Sequence, residues 1–351
     1  MLFPQREAAV LIRYRLTKDM TPNLQTFEAF KKQNILIIGD VMIDRYLTGS
    51  VDRISPEAPV PVVRLTGQDD RLGGAANVAL NLKALGATPY LCSVAGGDDN
   101  GAQLRKLLPE VQLSDRGLVY SPERRTTVKS RVIAGNQHLL RVDAEDTHDL
   151  SAGEQENLLH LVIELLEQKN IHAILFQDYN KGVLSHPVIR AVMLEAIKRD
   201  IPTAVDPKFD NFWSYKHVTL FKPNLKEIRA QMPFEVQPTL EDLDRAANYL
   251  RSKLGNPYSL VTLSERGVYL NNRGEGQTLP THPRSITDVC GAGDTVFAVA
   301  GLGLSLGLPL DEIAQLSNLA GGQVCERVGV VPVDRHQLEQ EYQQLLRKGQ
   351  I

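Results

Sequence analysis

Ile35-Leu36-Ile37-Ile38-Gly39-Asp40 reads as a buried strand that ends on an acid. An apolar run this short, rich in β-branched side chains, suits a strand covered on both faces. Working outward, similar runs recur at 90–94, 173–176, 203–205, 219–221 and 260–263. Between them the apolar spacing predicts helices over 75–85, 154–167, 187–199, 240–253, 292–305 and 310–327. That alternation predicts an α/β fold with a mostly parallel sheet under helices. Asp40, Asp178, Asp206, Asn224 and Ser264 each follow an apolar strand. Taken singly, each suits a turn or a helix cap. Together they mark the carboxyl edge of the sheet, where α/β proteins bind ligands.

The chain has 351 residues, room for one large α/β domain or two smaller ones, and a net charge of −3. That balance gives no reason to expect nucleic acid or an acidic membrane as partner. Cys92, Cys290 and Cys325 lack the spacing of a disulfide framework or a zinc site and suit a reducing cytoplasm. No apolar stretch approaches the roughly 20 residues of a membrane span. Residues 1–33 read as an appendage before a body over 34–351, with Met20 as an alternative start. Two segments, about 46–70 and 120–143, look like strand pairs without intervening helices. They predict a small accessory sheet able to act as a lid, or else a pair of surface hairpins.

The chemistry concentrates at Asp288-Val289-Cys290-Gly291-Ala292-Gly293-Asp294-Thr295. Small residues at a helix start leave N–H groups open, with the positive end of the helix dipole behind them. Asp294 lies inside that anion trap. A base beside an anion hole is what phosphoryl transfer to a hydroxyl needs. Gly73-Gly74-Ala75-Ala76-Asn77 opens another helix, and its Asn suits a polyol, although Gly and Asn also cap helices routinely. Asp40 and Asp44 could grip vicinal hydroxyls or simply form a turn. Arg141 and Lys181 could clamp a phosphate on the substrate, or be ordinary exposed cations. Asn224 and Glu227 have the spacing to face hydrated Mg²⁺ on a nucleotide, and equally the spacing of a capping box. Asn318, Gly321 and Gly322 could border an adenine pocket. Gly303-Leu304-Ser305-Leu306-Gly307 mimics a hydrolase elbow but ends an apolar helix, so it reads as packing. There is no P-loop, and the histidines lack metal-ligand spacing.

The two glycine-containing motifs, in this order, resemble the two signatures of the ribokinase (PfkB) sugar-kinase family. Gly39-Asp40-Val41-Met42-Ile43-Asp44-Arg45-Tyr46, Arg53-Ile54-Ser55-Pro56-Glu57-Ala58-Pro59-Val60-Pro61-Val62, Asp178-Tyr179-Asn180-Lys181-Gly182, Asp206-Pro207-Lys208 and Pro223-Asn224-Leu225-Lys226-Glu227 are similar to its heptose 7-phosphate kinase branch. The resemblance implies a three-layer α/β/α sandwich, a β lid used in dimerisation, ATP with Mg²⁺, and a monovalent cation such as K⁺. It implies Asp294 as catalytic base, with Gly291, Ala292 and Gly293 as anion hole. Asp40, Asp44, Gly73, Gly74, Asn77, Arg141, Asp178 and Lys181 would serve the sugar phosphate. Asn224, Glu227, Ser264, Gly267 and Asn318 would lie on the nucleotide side, with Glu227 reaching Mg²⁺ through water. Phe209, Lys222 and Cys290 depart from the branch, which has Gly, Thr and Thr there. No His-x-Gly-His of the nucleotidyltransferase often fused to this kinase occurs, so if the pathway reading holds, that step and a phosphatase step are expected of separate proteins. A kinase for another sugar (ribose, fructose, a fructose phosphate or a keto-deoxy acid) and a non-catalytic sugar- or nucleotide-binding regulator are the competing expectations.

Overall fold

The computed structural model of the chain describes residues 25–135 and 137–348. In chain order it opens with α1 (Gln25–Phe30), β1 (Asn34–Gly39), β2 (Val41–Ile54), β3 (Pro61–Gly74), α2 (Ala75–Ala84), β4 (Thr88–Gly96), α3 (Asp99–Glu110) and β5 (Leu118–Ser121). There follow β6 (Thr127–Ala134), β7 (Gln137–Ala144), α4 (Ala152–Gln168), β8 (Ala173–Gln177), α5 (His186–Lys198), β9 (Thr203–Asp206) and β10 (Leu220–Phe221). The last third holds α6 (Leu225–Gln231), α7 (Leu240–Leu254), β11 (Tyr258–Thr262), β12 (Val268–Asn272), β13 (Glu275–Leu279), α8 (Ala292–Ser305), α9 (Leu310–Val324) and α10 (Arg335–Arg347).

A nine-stranded sheet runs β13-β12-β11-β10-β9-β8-β1-β4-β5. It is parallel from β5 through to β11, and β12 and β13 add antiparallel at the far edge. Alternation along β1 explains the layers. Ile35 and Ile37 enter one core with α1, α2, α8, α9 and α10, and Leu36 and Ile38 enter the other with α4, α5, α6 and α7. Each fully buried aliphatic side chain contributes about 1.5–3 kcal/mol, so the double cover accounts for the uninterrupted apolar strands.

The accessory sheet expected from sequence is present as four strands in the order β3-β2-β6-β7. β2 starts inside the body, where Val41, Met42 and Ile43 are buried, and then runs out into an exposed hairpin with β3. The far half carries exposed Val51, Ile54, Val60 and Leu65, and β7 carries exposed Leu140 and Val142.

One boundary differs from expectation. Residues 1–24, including Met20, lie outside the described residues, but α1 belongs to the body. Phe27 and Phe30, three apart on one helix face, are buried, and Phe27 stacks 6.0 Å from the Tyr342 ring of α10. Among the described residues no helix is long and apolar enough to cross a membrane.

Candidate active site

The turn before α8 is built around Gly291, whose φ of +77° needs glycine and whose Cβ would come 2.9 Å from the Asn77 amide nitrogen. Beyond it, a Cβ on Gly293 would meet nothing within 4 Å, so a ligand can approach the backbone there. No side chain caps α8, and the N–H groups of Gly291, Gly293 and Asp294 find no acceptor among the described residues. Open N–H groups at a helix start suit an anion.

Asp294 sits in the first turn of α8, only 4% exposed. Its Oδ1 accepts from the Tyr179 hydroxyl at 2.7 Å and from Gln177 Nε2 at 3.0 Å. Its Oδ2 accepts from Asn77 Nδ2 at 2.9 Å. Burial pushes the carboxyl up to about 6, Tyr179 and Asn77 pull it back, and Asp206 and Asp44 push it further up. Asp294 is thus mostly ionised at neutral pH and basic enough to take a proton. Asn77 is oriented from behind: its Oδ1 accepts from Asn81 Nδ2 at 3.1 Å, which leaves its own amide hydrogens for Asp294. Gln177 also reaches Asp206, which is paired with the buried Lys222 ammonium at 3.0 Å.

Asp40 and Asp178 stand differently from expectation. Asp40 is buried, and its carboxylate accepts from the backbone N–H of Tyr179 at 2.7 Å, Lys181 at 3.2 Å and Val183 at 3.2 Å. It holds the loop that carries Tyr179 and Lys181. Asp178 accepts from the Tyr215 hydroxyl at 2.7 Å and from Asn180 N at 2.9 Å, closed off from solvent. Burial first, and the Asp40 carboxylate second, push it up to about 7.

Asp44 lies beside Gly73, where a Cβ would fall 2.2 Å from its Oδ2, so glycine makes room for the carboxylate. Gly74 turns the chain into α2 with φ +59°. The cation that meets Asp44 is Arg131 of β6, a residue not singled out from sequence. Arg141 is its cross-strand partner on β7, but its side chain is 57% exposed and forks onto Asp143. Lys181 pairs with Glu145 at 2.8 Å, and Lys129 shares Glu145 at 3.3 Å. Tyr179 and Gln177 were missed as well. The motif Asp178-Tyr179-Asn180-Lys181-Gly182 stood out for its lysine, and only the fold shows that Gln177 at the end of β8 and Tyr179 just past it reach Asp294.

On the nucleotide side, Asn224 and Glu227 form a full capping box on α6, with bonds of 2.8 and 2.9 Å. Glu227 Oε2 is engaged by that box and Oε1 by Lys208, so neither oxygen is left without a protein partner. Burial opposes the charge of Lys208, but Asp206, Glu227 and Asp294 outweigh it and raise its pKa. Among the described residues no group of three or more His, Cys, Asp or Glu side chains could hold a metal ion. The open N–H groups at the start of α8 suit an anion such as a phosphate group. Ser264 opens a 3-10 turn with φ +57°, and Gly267 packs so closely on the Leu279 carbonyl that a Cβ would lie 2.0 Å away. Asn318 donates to the Pro280 carbonyl at 2.8 Å, tying α9 to the strap before α8. Gly322 is covered by the Arg284 side chain, itself paired with Glu326 and Glu341. Cys290 is half-buried, and burial with Asp288 pushes its thiol up to about 11. Phe209 is 60% exposed.

A parallel sheet with a buried carboxylate beside a bare helix start suits phosphoryl transfer to a hydroxyl. Residues 32–335 match the model of the pfkB family carbohydrate kinases, and the chain belongs to that family. It is 39% identical over 311 residues to the "Bifunctional protein HldE" of Campylobacter curvus, covering 88% of this chain and 65% of that one. The protein of the same name from Geotalea uraniireducens is 40% identical over 309 residues, covering 88% and 62%. The chain thus spans under two thirds of the length of these relatives. Among solved structures, phosphofructokinase-2 from Escherichia coli in complex with potassium aligns with a TM-score of 0.74 at 20% identity, covering 90% of this chain and 99% of that one. Arabidopsis thaliana ribokinase complexed with ribose and ATP aligns at 0.67 with 17% identity, covering 88% and 98%. The fold is therefore ribokinase-like, and the protein is a carbohydrate kinase.

Proposed function

We propose that this kinase uses ATP to phosphorylate D-glycero-β-D-manno-heptose 7-phosphate at the anomeric hydroxyl, giving the 1,7-bisphosphate. The observation that carries the choice of a phosphorylated sugar is the set of cations on the lid side of Asp44. Arg131 pairs with Asp44, Lys129 and Lys181 share Glu145, and Lys129 also meets Asp143 at 3.2 Å. Each cation is paired in the free protein, and a distal phosphate, more highly charged than one carboxylate, would compete for them. The resemblance to the heptose branch and the HldE relatives supports the particular sugar.

In the mechanism, Asp294 takes the proton of the acceptor hydroxyl while its oxygen attacks the γ-phosphorus and ADP departs with the bonding electrons. The N–H groups of Gly291 and Gly293, with the start of α8, hold the charge that builds on the transferred phosphoryl. Mg²⁺ on the nucleotide supplies further charge neutralisation, and a monovalent cation is part of the same reading. Asp44, set against Gly73, faces the sugar hydroxyls. Exposed Val51, Ile54, Leu65, Leu140 and Val142 on the lid would be covered in a homodimer. The protein acts in the cytoplasm in this reading.

The test is ADP release from ATP and Mg²⁺ against a panel of the heptose 7-phosphate, fructose 6-phosphate, fructose, ribose and 2-keto-3-deoxygluconate. A dominant kcat/KM for the heptose phosphate is expected. Preference for a neutral sugar would overturn the phosphate clamp.

A further inference from the structure

Asp294 is gripped unevenly. Its Oδ1 has two donors, the Tyr179 hydroxyl at 2.7 Å and Gln177 Nε2 at 3.0 Å. Its Oδ2 has one, Asn77 Nδ2 at 2.9 Å. A carboxylate oxygen accepts about two hydrogen bonds in its plane. Oδ1 is therefore filled, and Oδ2 keeps one direction for a ligand.

We propose that Tyr179 is a positioning residue for the base: with Gln177 it occupies Oδ1, and so leaves Oδ2 as the atom that takes the acceptor proton. The proposal rests on Asp294 being the base. Tyr179 itself is fixed on three sides. Its backbone N–H donates to Asp40 at 2.7 Å, its ring lies 5.3 Å from the Lys208 ammonium, and its hydroxyl donates to Asp294 at 2.7 Å. Burial and the neighbouring Asp294 and Asp206 charges hold the phenol well above its ordinary pKa, so it stays a donor across the working range. The proton balance is simple. The hydroxyl proton passes to Oδ2 as the O–P bond forms, and it leaves to solvent once product has gone. The phenol donates a hydrogen bond throughout and loses no proton.

Donation to the ionised form stabilises it, so removing the Tyr179 hydroxyl must raise the pKa of Asp294. The other charges facing Asp294 are Asp206 at the end of β9, Asp44 on β2, Lys208 beyond β9, Lys222 beyond β10 through Asp206, and the positive start of α8 itself. None of them is altered by Tyr179→Phe, which also keeps the ring over Lys208.

The experiment is a ¹³C NMR titration of protein labelled at aspartate Cγ, with Asp294→Asn assigning the signal. The wild-type midpoint is expected near 6. Tyr179→Phe should move it up by about one unit, a tenfold change in proton affinity. Site-specific 3-fluorotyrosine at 179, a stronger donor, should move it down. An unchanged midpoint in both would overturn the proposal. The titration uses no sugar, so it stands or fails apart from the substrate assignment. In turnover with ATP, Mg²⁺ and the heptose 7-phosphate, Tyr179→Phe should lose about fivefold at pH 6 and progressively less as pH rises. A loss of equal size at every pH would assign Tyr179 to mere packing and sink the idea.

Discussion

Asp40 and Asp294 lie at one edge of the same sheet, both almost closed to solvent at 1% and 4% exposure, yet only one is available for chemistry. Asp40 gives its oxygens to three backbone N–H groups of one loop. Asp294 takes its donors from three side chains, on α2, at the end of β8 and just past it, and keeps one direction free. Backbone donors make a carboxylate part of the loop's own architecture. Side-chain donors from separate elements aim it without using it up. The two are also in series, because the loop Asp40 holds is the one that carries Tyr179.

The largest expected effect separates them in activity. Asp294→Asn should lower kcat by about two to four orders of magnitude, the usual worth of a general base. ATP binding, followed by calorimetry, should survive, and thermal stability should hold or rise because a buried charge is gone. Near-normal turnover would strip Asp294 of its role. Asp40→Ala should do the reverse first. Three N–H groups lose a buried charged acceptor, and unfolding in urea should show a loss of about 3–5 kcal/mol. If Asp40→Ala were as stable as the parent, the contrast between the two carboxylates would collapse.

Asp178 sharpens the contrast through pH. Its folded pKa of about 7 lies above the ordinary carboxyl value of 3.8. Between those values the folded state binds more protons than the unfolded one, so this group's contribution to stability falls as pH rises from about 4 to about 7. At 1.36 kcal/mol per unit the full swing is on the order of 4 kcal/mol, shared with Asp40 beside it. Asp178→Asn should therefore flatten the pH dependence of urea midpoints across that window, gaining on the parent at pH 8 relative to pH 5. An unaltered slope would place the proton elsewhere.

The central sheet was legible because each strand carries its own signal. The run 35–38 is apolar throughout, and it ends at Gly39 within one residue of the expected limit. The elements that escaped notice have weaker signals: α3 contains Pro109, and β13 reads Glu275 to Leu279 with little buried. The motifs of Asp294, Gly291 and Asn77 were legible because they are local, and the structure brings Asn77 onto Asp294. Tyr179, Gln177 and Arg131 were not, because their roles exist only after strand register is set. Arg131 meets Asp44 across 87 positions of sequence. The same limit explains Glu227, whose spacing fitted both a cap and a metal ligand until Lys208 arrived from a different strand end.

The smallest effects concern the cations, and the rule that separates Asp40 from Asp294 orders them too. Arg124 donates to the carbonyls of Lys181 at 2.6 Å and His148 at 3.3 Å, so it belongs to loop architecture as Asp40 does. Arg131 is held by the Asp44 side chain and lies on the site face, with 11% of its side chain exposed. Arg141, one strand further out, is held only by Asp143 at the surface, where screening leaves an ion pair worth under about 1 kcal/mol. Arg131→Ala should then raise KM for a phosphosugar about tenfold, and Arg141→Ala about threefold or less, with kcat little changed in the second. Initial rates over a range of sugar phosphate would give both. A larger KM effect at Arg141 would mean that the lid closes on substrate and brings β7 inward, so that exposure in the free enzyme no longer ranks the cations.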